Sequence, residues 1–132
     1  MCVFCKILNK EIPSYKIYED EYTYAFLDIS KDIDGHTLVI PKKHCTNVLD
    51  CDNEILVHVM DTVKLVANHY VNDCGYEGVN ILNASGEAAQ QSVFHLHFHI
   101  LPRKFNDGED GFPHLNGAKK ELEEMCEILK VK

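Results

Sequence analysis

The run His95-Leu-His-Phe-His-Ile100 constrains this chain more than any other feature. Its polar and apolar residues alternate with a period of two, the period of a β-strand. The stretch Ser92-Val-Phe-His-Leu-His-Phe-His-Ile-Leu101 therefore predicts a strand with His95, His97 and His99 on one face and Leu96, Phe98 and Ile100 on the other. Same-face residues sit about 6.6 Å apart, so the imidazoles form a row of nitrogens backed by an apolar core. Ser, Thr, Lys or Glu would serve a merely solvated face as well, and adjacent imidazoles repel one another once protonated. The row points instead to metal binding or nucleophilic chemistry.

The rest of the chain supplies the frame for that strand. A sequence of 132 residues is expected to form a single domain, spanning 1–132, with enough buried surface to need no staple. A net charge of -8 argues against nucleic-acid polymers and anionic membranes as partners, since both reward Lys/Arg clusters. A small anion remains possible, because a few local donors can hold a phosphate whatever the overall charge. The start shows no basic region leading into an apolar run, and no segment approaches the length of a membrane span; a cytoplasmic protein is the expectation. In that setting the six cysteines read as reduced thiols or metal ligands. Cys2-Val-Phe-Cys5 can place two thiolates on one metal ion if two further ligands arrive from elsewhere, or it can be two small apolar residues near a terminus.

Taken in order, Glu11-Ile-Pro-Ser14 reads as a turn. The residues from Tyr15 to Tyr18 and from Tyr22 to Ile29 read as a hairpin, with Asp28 near its end either capping the next turn or binding hydroxyl groups. His36-Thr-Leu-Val-Ile40 is a third strand, stopped by Pro41. Residues 52–73 carry Ile55, Val59, Val63, Val66 and Tyr70 on one helical face, with Asp52 or Asn53 as cap and Gly75 just past the end. His58 and His69 fall on the polar side of that helix and are expected to face solvent. Val79-Asn-Ile-Leu82 is a fourth strand, and the small-residue loop from Asn83 to Gln91 leads into the histidine strand, ended by Pro102 and Arg103. An irregular loop over 105–117 precedes a last helix from about Ala118 to Leu129, with Leu122, Met125 and Leu129 on one face.

The histidine run resembles the H-φ-H-φ-H-φ-φ signature of the histidine triad (HIT) superfamily, most closely its small bacterial Hit and Hint branch. Phe4-Cys-Lys-Ile7, Glu11-Ile-Pro13, Phe26-Leu-Asp-Ile29, Gly35-His-Thr-Leu-Val-Ile-Pro-Lys-Lys-His44 and Gln91-Ser-Val-Phe94 resemble the family in its expected order, over nearly the whole chain. The resemblance implies an α+β fold: a five-stranded antiparallel sheet with one long and one C-terminal helix, assembled as a homodimer. It implies a hydrolase acting at the α-phosphate of nucleoside phosphoramidates or dinucleoside polyphosphates derived from purine nucleotides. By the same resemblance the catalytic residues are His95, His97, His99, His36 and Ser92: His97 is the nucleophile, His99 and Ser92 contact phosphate oxygens or the departing group, and His36 supports the protonation state of His97. Asp28 would bind ribose, Ile7, Phe26 and Leu38 would line the base pocket, and Gln91 would lie on the phosphate side. A third triad position occupied by His99 and not Gln resembles the hydrolases more than the nucleotidyltransferases. Some members hold a structural Zn²⁺ through residues matching Cys2, Cys5, His44 and the first triad histidine, His95. Where the family loop often reads Asn-x-Gly and then Ala-Gly-Gln, this chain has Ala84-Ser-Gly86 and Ala89-Gln-Gln91, with Asn83 available one position away.

Two other readings compete on the residues alone. H-x-H on a strand also presents ligands in catalytic zinc sites and cupins, but a cupin-type site needs a carboxylate soon afterwards, and Ile100 and Leu101 stand there. A non-catalytic nucleotide-binding regulator could keep the fold, though it has no use for an intact triad.

Overall fold

The computed structural model describes residues 2–131. A five-stranded antiparallel sheet in the order β1-β2-β3-β5-β4 forms its centre. The elements are α1 (Val3–Leu8), β1 (Lys16–Glu19), β2 (Thr23–Leu27), β3 (Thr37–Pro41), α2 (Asn53–Asn72), β4 (Gly78–Leu82), β5 (Phe98–Arg103) and α3 (Leu122–Leu129), with a short 3₁₀ turn at Glu87–Ala89. The expected fold class is therefore present, with two expected helices and one that the sequence did not announce.

The two faces of the sheet bury different sets of residues. On one face α2 lays Val59, Val63, Val66 and Tyr70 against Ala25, Val39, Leu96 and Ile100. This is the apolar helical stripe read from the sequence, and it receives the even-numbered residues of the histidine run. Two buried hydroxyl pairs pin the helix: Thr62 to Thr23 at 2.6 Å and Tyr70 to Thr37 at 2.6 Å. On the other face α1 covers Phe26, Leu38 and Ile40 with Phe4, and Ile7 packs alongside.

Several boundaries differ from expectation. The hairpin strands are shorter than anticipated, so Asp28 lies just beyond β2. The histidine run is a regular strand only from Phe98 onward. The cause is Pro41. It has no N–H to offer a neighbouring strand, and the β3–β5 ladder stops at Val39↔Phe98. Leu96 N–H turns instead to the Cys45 carbonyl at 2.8 Å. The alternation survives the loss of ladder because Leu96 remains fully buried against α2. At its far end β5 runs through Pro102 and Arg103, paired only with β4 there. The side on which Pro102 lacks a donor is the side where β3 has already ended. Gly35 makes the turn into β3 with φ +80°, and a Cβ on it would meet Pro102 Cγ at 2.9 Å. A side chain is excluded there on both counts.

His69 is exposed as expected, whereas His58 stacks on Tyr22 at a centroid distance of 3.7 Å and is half-buried. The C-terminal helix begins at Leu122, four residues later than expected. Its Leu122 is 83% exposed and none of its residues is buried, so its apolar stripe does not pack on this core.

Candidate active site and metal centre

The N-terminal turn gathers four ligand atoms. Cys2 Sγ accepts the Cys5 N–H at 3.2 Å and so caps α1, which brings both thiols to one end of the helix. His44 arrives just beyond β3 and His95 from the irregular start of the histidine run. The six separations among Cys2 Sγ, Cys5 Sγ, His44 Nδ1 and His95 Nδ1 are 3.0, 3.7, 3.3, 3.4, 3.5 and 3.1 Å. A tetrahedral zinc with bonds of about 2.0–2.3 Å requires donor separations of roughly 3.3–3.8 Å, so the four atoms mark a slightly contracted tetrahedron that can hold a metal ion. His95 is fully buried, and its Nε2–H donates to the Pro41 carbonyl at 2.9 Å. That bond leaves the Nδ1 lone pair aimed at the thiols. Burial and the adjacent Cys2 thiol push the Cys5 thiol up, a balance that a cation reverses.

On the other side of Phe4 lies a cleft of about 300 Å³ lined by Ile7, Phe26, Asp28, Leu38, Ser92, His97 and His99 among others. Register explains the convergence: Phe26 pairs with Leu38, and Leu38 pairs with His99, so three strands each contribute one residue to a single row. The Phe4 ring meets Phe26, His95 and His97 edge-on at 5.6, 5.9 and 5.1 Å.

His97 is buried, and its Nδ1–H donates to the His95 carbonyl at 2.8 Å. The hydrogen bond assigns the tautomer and leaves Nε2 with a free lone pair. Burial lowers the His97 pKa, with the His95 carbonyl and Asp28 working against the shift. Burial, with nearby His97 and His36, pushes His99 down to about 4. Both rings are therefore uncharged at neutral pH.

His99 is joined to a relay. Its Nδ1 lies 2.8 Å from His36 Nε2, and His36 Nδ1 lies 2.8 Å from Asp32 Oδ1. Burial alone would raise the Asp32 carboxyl, but the hydrogen bond and charge of His36 and the Ile33 N–H outweigh it, and its pKa is lowered. One extra proton on this chain makes His99 Nε2 a donor; its removal makes the same atom an acceptor. Asp28 Oδ1 accepts the Ser30 N–H at 2.8 Å, and Oδ2 lies 3.8 Å from His36 Nε2. Asp28 thus caps the next turn while still lining the cleft.

The expected residues divide into groups. His97, His99, Ser92, Asp28, Phe26, Leu38 and Ile7 share the cleft, and His36 stands behind His99. His95 belongs to the candidate metal group and does not line the cleft; its carbonyl accepts the His97 Nδ1–H. Gln91 does not line the cleft. It is buried, its Oε1 accepts from Asn47 Nδ2 and Gly86 N, and its Nε2 donates to the Thr46 and Val93 carbonyls. With all four bonds made it braces the loop. Asn83 likewise donates to the His97 carbonyl at 3.0 Å and holds the backbone there. Asp32 escaped sequence reading; its only signal is a carboxylate four residues before His36, in a loop that also holds Asp34.

A model of the HIT domain family matches residues 9–106, three quarters of the chain and the whole of the sheet. The chain belongs to the HIT domain family. HIT relatives include the adenosine 5′-monophosphoramidase HNT1 of Saccharomyces cerevisiae, 42% identical over 103 residues, covering 78% of this chain and 63% of the yeast protein. A solved HIT family member from Bacillus subtilis superposes with a TM-score of 0.82 at 43% identity over 96% of this chain and 91% of its own. A zinc-bound histidine triad family protein from Mycobacterium smegmatis gives a TM-score of 0.79 at 37% identity, covering 83% and 80%. In the loop before the histidine run Gln90 sits at φ 73°. That left-handed conformation costs a non-glycine residue about 1 kcal/mol, so Gln90→Gly is expected to leave the thermal midpoint unchanged or raised by a few degrees; a fall beyond about 5 °C would show that the Gln90 side chain contributes to the fold.

The lowered histidine pKa values set the acid limb of any reaction at His97. A nucleophilic imidazole must be unprotonated, and His97 holds off its proton to below the usual value near 6.5. Turnover, followed as kcat/KM, is expected to show an acid midpoint below 6.5. An acid midpoint above 6.5 would contradict the burial of this ring.

Proposed function

We propose that the chain is a nucleotide hydrolase that cleaves nucleoside phosphoramidates at the α-phosphate through a nucleotidyl-histidine. The observation that carries the reading is the Nδ1–H bond from His97 to the His95 carbonyl. It turns the Nε2 lone pair of a buried, neutral ring toward a cleft whose other wall is apolar. Nε2 attacks phosphorus and forms a P–N bond, while the bond from phosphorus to the departing amine breaks. The amine takes its proton from His99 Nε2, replenished along His36 and Asp32. Water then attacks the nucleotidyl-histidine, gives its proton back to the same relay, and releases the nucleoside monophosphate. Two lower barriers replace one. Phe26, Leu38 and Ile7 offer the base an apolar slot, and Asp28 offers acceptors for ribose hydroxyls. The monophosphoramidase name of the yeast relative supports this substrate class. Purified protein is expected to release AMP from adenosine 5′-phosphoramidate; absence of turnover on it would move the search to dinucleoside polyphosphates and then to a regulator that only binds nucleotides.

The Cys2, Cys5, His44 and His95 group is read as a structural Zn²⁺ site. A four-ligand set with no open position holds a metal for stability and leaves no room for substrate. When bound, zinc would supply a crosslink between α1, the end of β3 and the histidine run. The zinc-bound mycobacterial relative supports the choice of metal.

The homodimer is the assembly we favour. β4 lies at the sheet edge with Ile81 and Leu82 exposed, and the apolar stripe of α3 is uncovered. Sedimentation is expected to give about twice the 15.1 kDa of one chain; a single-chain mass at micromolar concentration would refute the dimer.

A further inference from the structure

We infer a second, reversible divalent-cation site, built from Asp28, His36 and His99 and separate from the cysteine-containing group. The ligand atoms of these three residues all lie within 4.8 Å of one another. His36 Nε2 stands 2.8 Å from His99 Nδ1 and 3.8 Å from Asp28 Oδ2, values on either side of the roughly 3.3 Å between donors on a tetrahedral zinc. Two imidazoles and one carboxylate on one side of an ion leave its remaining positions open, and that donor set suits Zn²⁺ among common divalent ions.

Three further features favour occupancy. The Asp32 carboxylate holds His36 Nδ1–H at 2.8 Å, the outer-shell arrangement that orients a metal-bound histidine and raises its basicity. Asp28 and Asp32 together carry two negative charges, which balance one divalent cation. His36 and His99 also line an open cavity of about 280 Å³ together with Asp32 and Asn83, which gives the ion an entry path on the side away from the apolar slot. In the metal-free pair one proton lies between His36 Nε2 and His99 Nδ1; the cation takes its place and that proton leaves to solvent.

The consequence for activity rests on the reading of the cleft as a nucleotide hydrolase site. Asp28, His36 and His99 cannot serve ribose, proton relay and cation at once, so bound Zn²⁺ excludes turnover.

Titration of the full chain with Zn²⁺, and with Co²⁺ as a spectroscopic substitute, tests the site. Two equivalents per chain are expected. The first shows thiolate-to-cobalt charge transfer and disappears in the Cys2→Ser, Cys5→Ser double variant. The second lacks that band, is lost in His36→Gln and in Asp28→Asn, and weakens about 10- to 100-fold in Asp32→Asn, while the first equivalent stays unchanged and certifies the fold. A single equivalent in the wild-type chain, or a second that persists unaltered in both His36→Gln and Asp28→Asn, would overturn the site. On adenosine 5′-phosphoramidate, turnover is expected to fall in proportion to the second equivalent; full turnover with both sites filled would overturn the exclusion. If no substrate is turned over at all, the functional reading fails and the metal count still decides the site.

Discussion

His97→Ala is expected to lower AMP release from adenosine 5′-phosphoramidate by about 10⁴- to 10⁶-fold, the range for losing a covalent nucleophile. Truncation removes the neutral cleft imidazole whose tautomer is fixed by a backbone carbonyl. Substrate binding should change little, because Phe26, Leu38 and Asp28 are untouched. Mass spectrometry of acid-quenched wild-type protein is expected to show an adenylyl adduct that the variant lacks. Removing metal from the cysteine-containing group with chelator should leave the wild-type rate largely unchanged, since Cys2, Cys5, His44 and His95 lie outside the cleft wall. Residual activity within about tenfold of wild type would exclude a nucleotidyl-histidine and favour direct attack by water. Rates abolished by chelator would revive a catalytic metal.

The largest effect on stability is expected from Cys2→Ser combined with Cys5→Ser. Removing two thiolates from a closed metal site converts metal-binding energy into lost folding energy. A loss of about 3–5 kcal/mol lowers the thermal midpoint of a chain this size by about 10–20 °C. The chemical step should suffer much less, below about tenfold, because the His97 hydrogen bond to the His95 carbonyl involves backbone and ring only. Zinc content near one equivalent or more in wild-type protein never exposed to chelator, and a depressed midpoint in the double variant, support the structural role. An unchanged midpoint together with negligible metal in the wild-type protein would refute it.

The fold was legible wherever periodicity and punctuation agree. Val59, Val63, Val66 and Tyr70 recur at helical spacing and are buried on one face of α2; the alternation of the histidine run predicted which residues enter the core even where the ladder is absent. What escaped had physical reasons. The six-residue α1 is too short to show a period, and its cap is a cysteine sulfur, an atom that few helix starts use. The early end of the β3–β5 ladder follows from Pro41, a residue on a different strand. Gln91 belongs to a motif that invites a phosphate contact, yet its bonding capacity is spent on Asn47, Gly86, Thr46 and Val93, partners scattered along the chain. Asp32 becomes meaningful only once His36 and His99 meet across the sheet. In each case the deciding neighbour is remote in sequence.

Phe4 fills one of the two spacer positions between Cys2 and Cys5, and its ring touches both His95 and His97. A spacer in a metal-binding loop is ordinarily free to vary, because only the ligands are chemically committed. Here the spacer is also the partition between two compartments of the molecule. One ring thus packs edge-on against a candidate metal ligand and against the imidazole that faces the cleft. The first turn therefore supplies part of the cleft wall as well as two thiols, with one aromatic side chain shared between them.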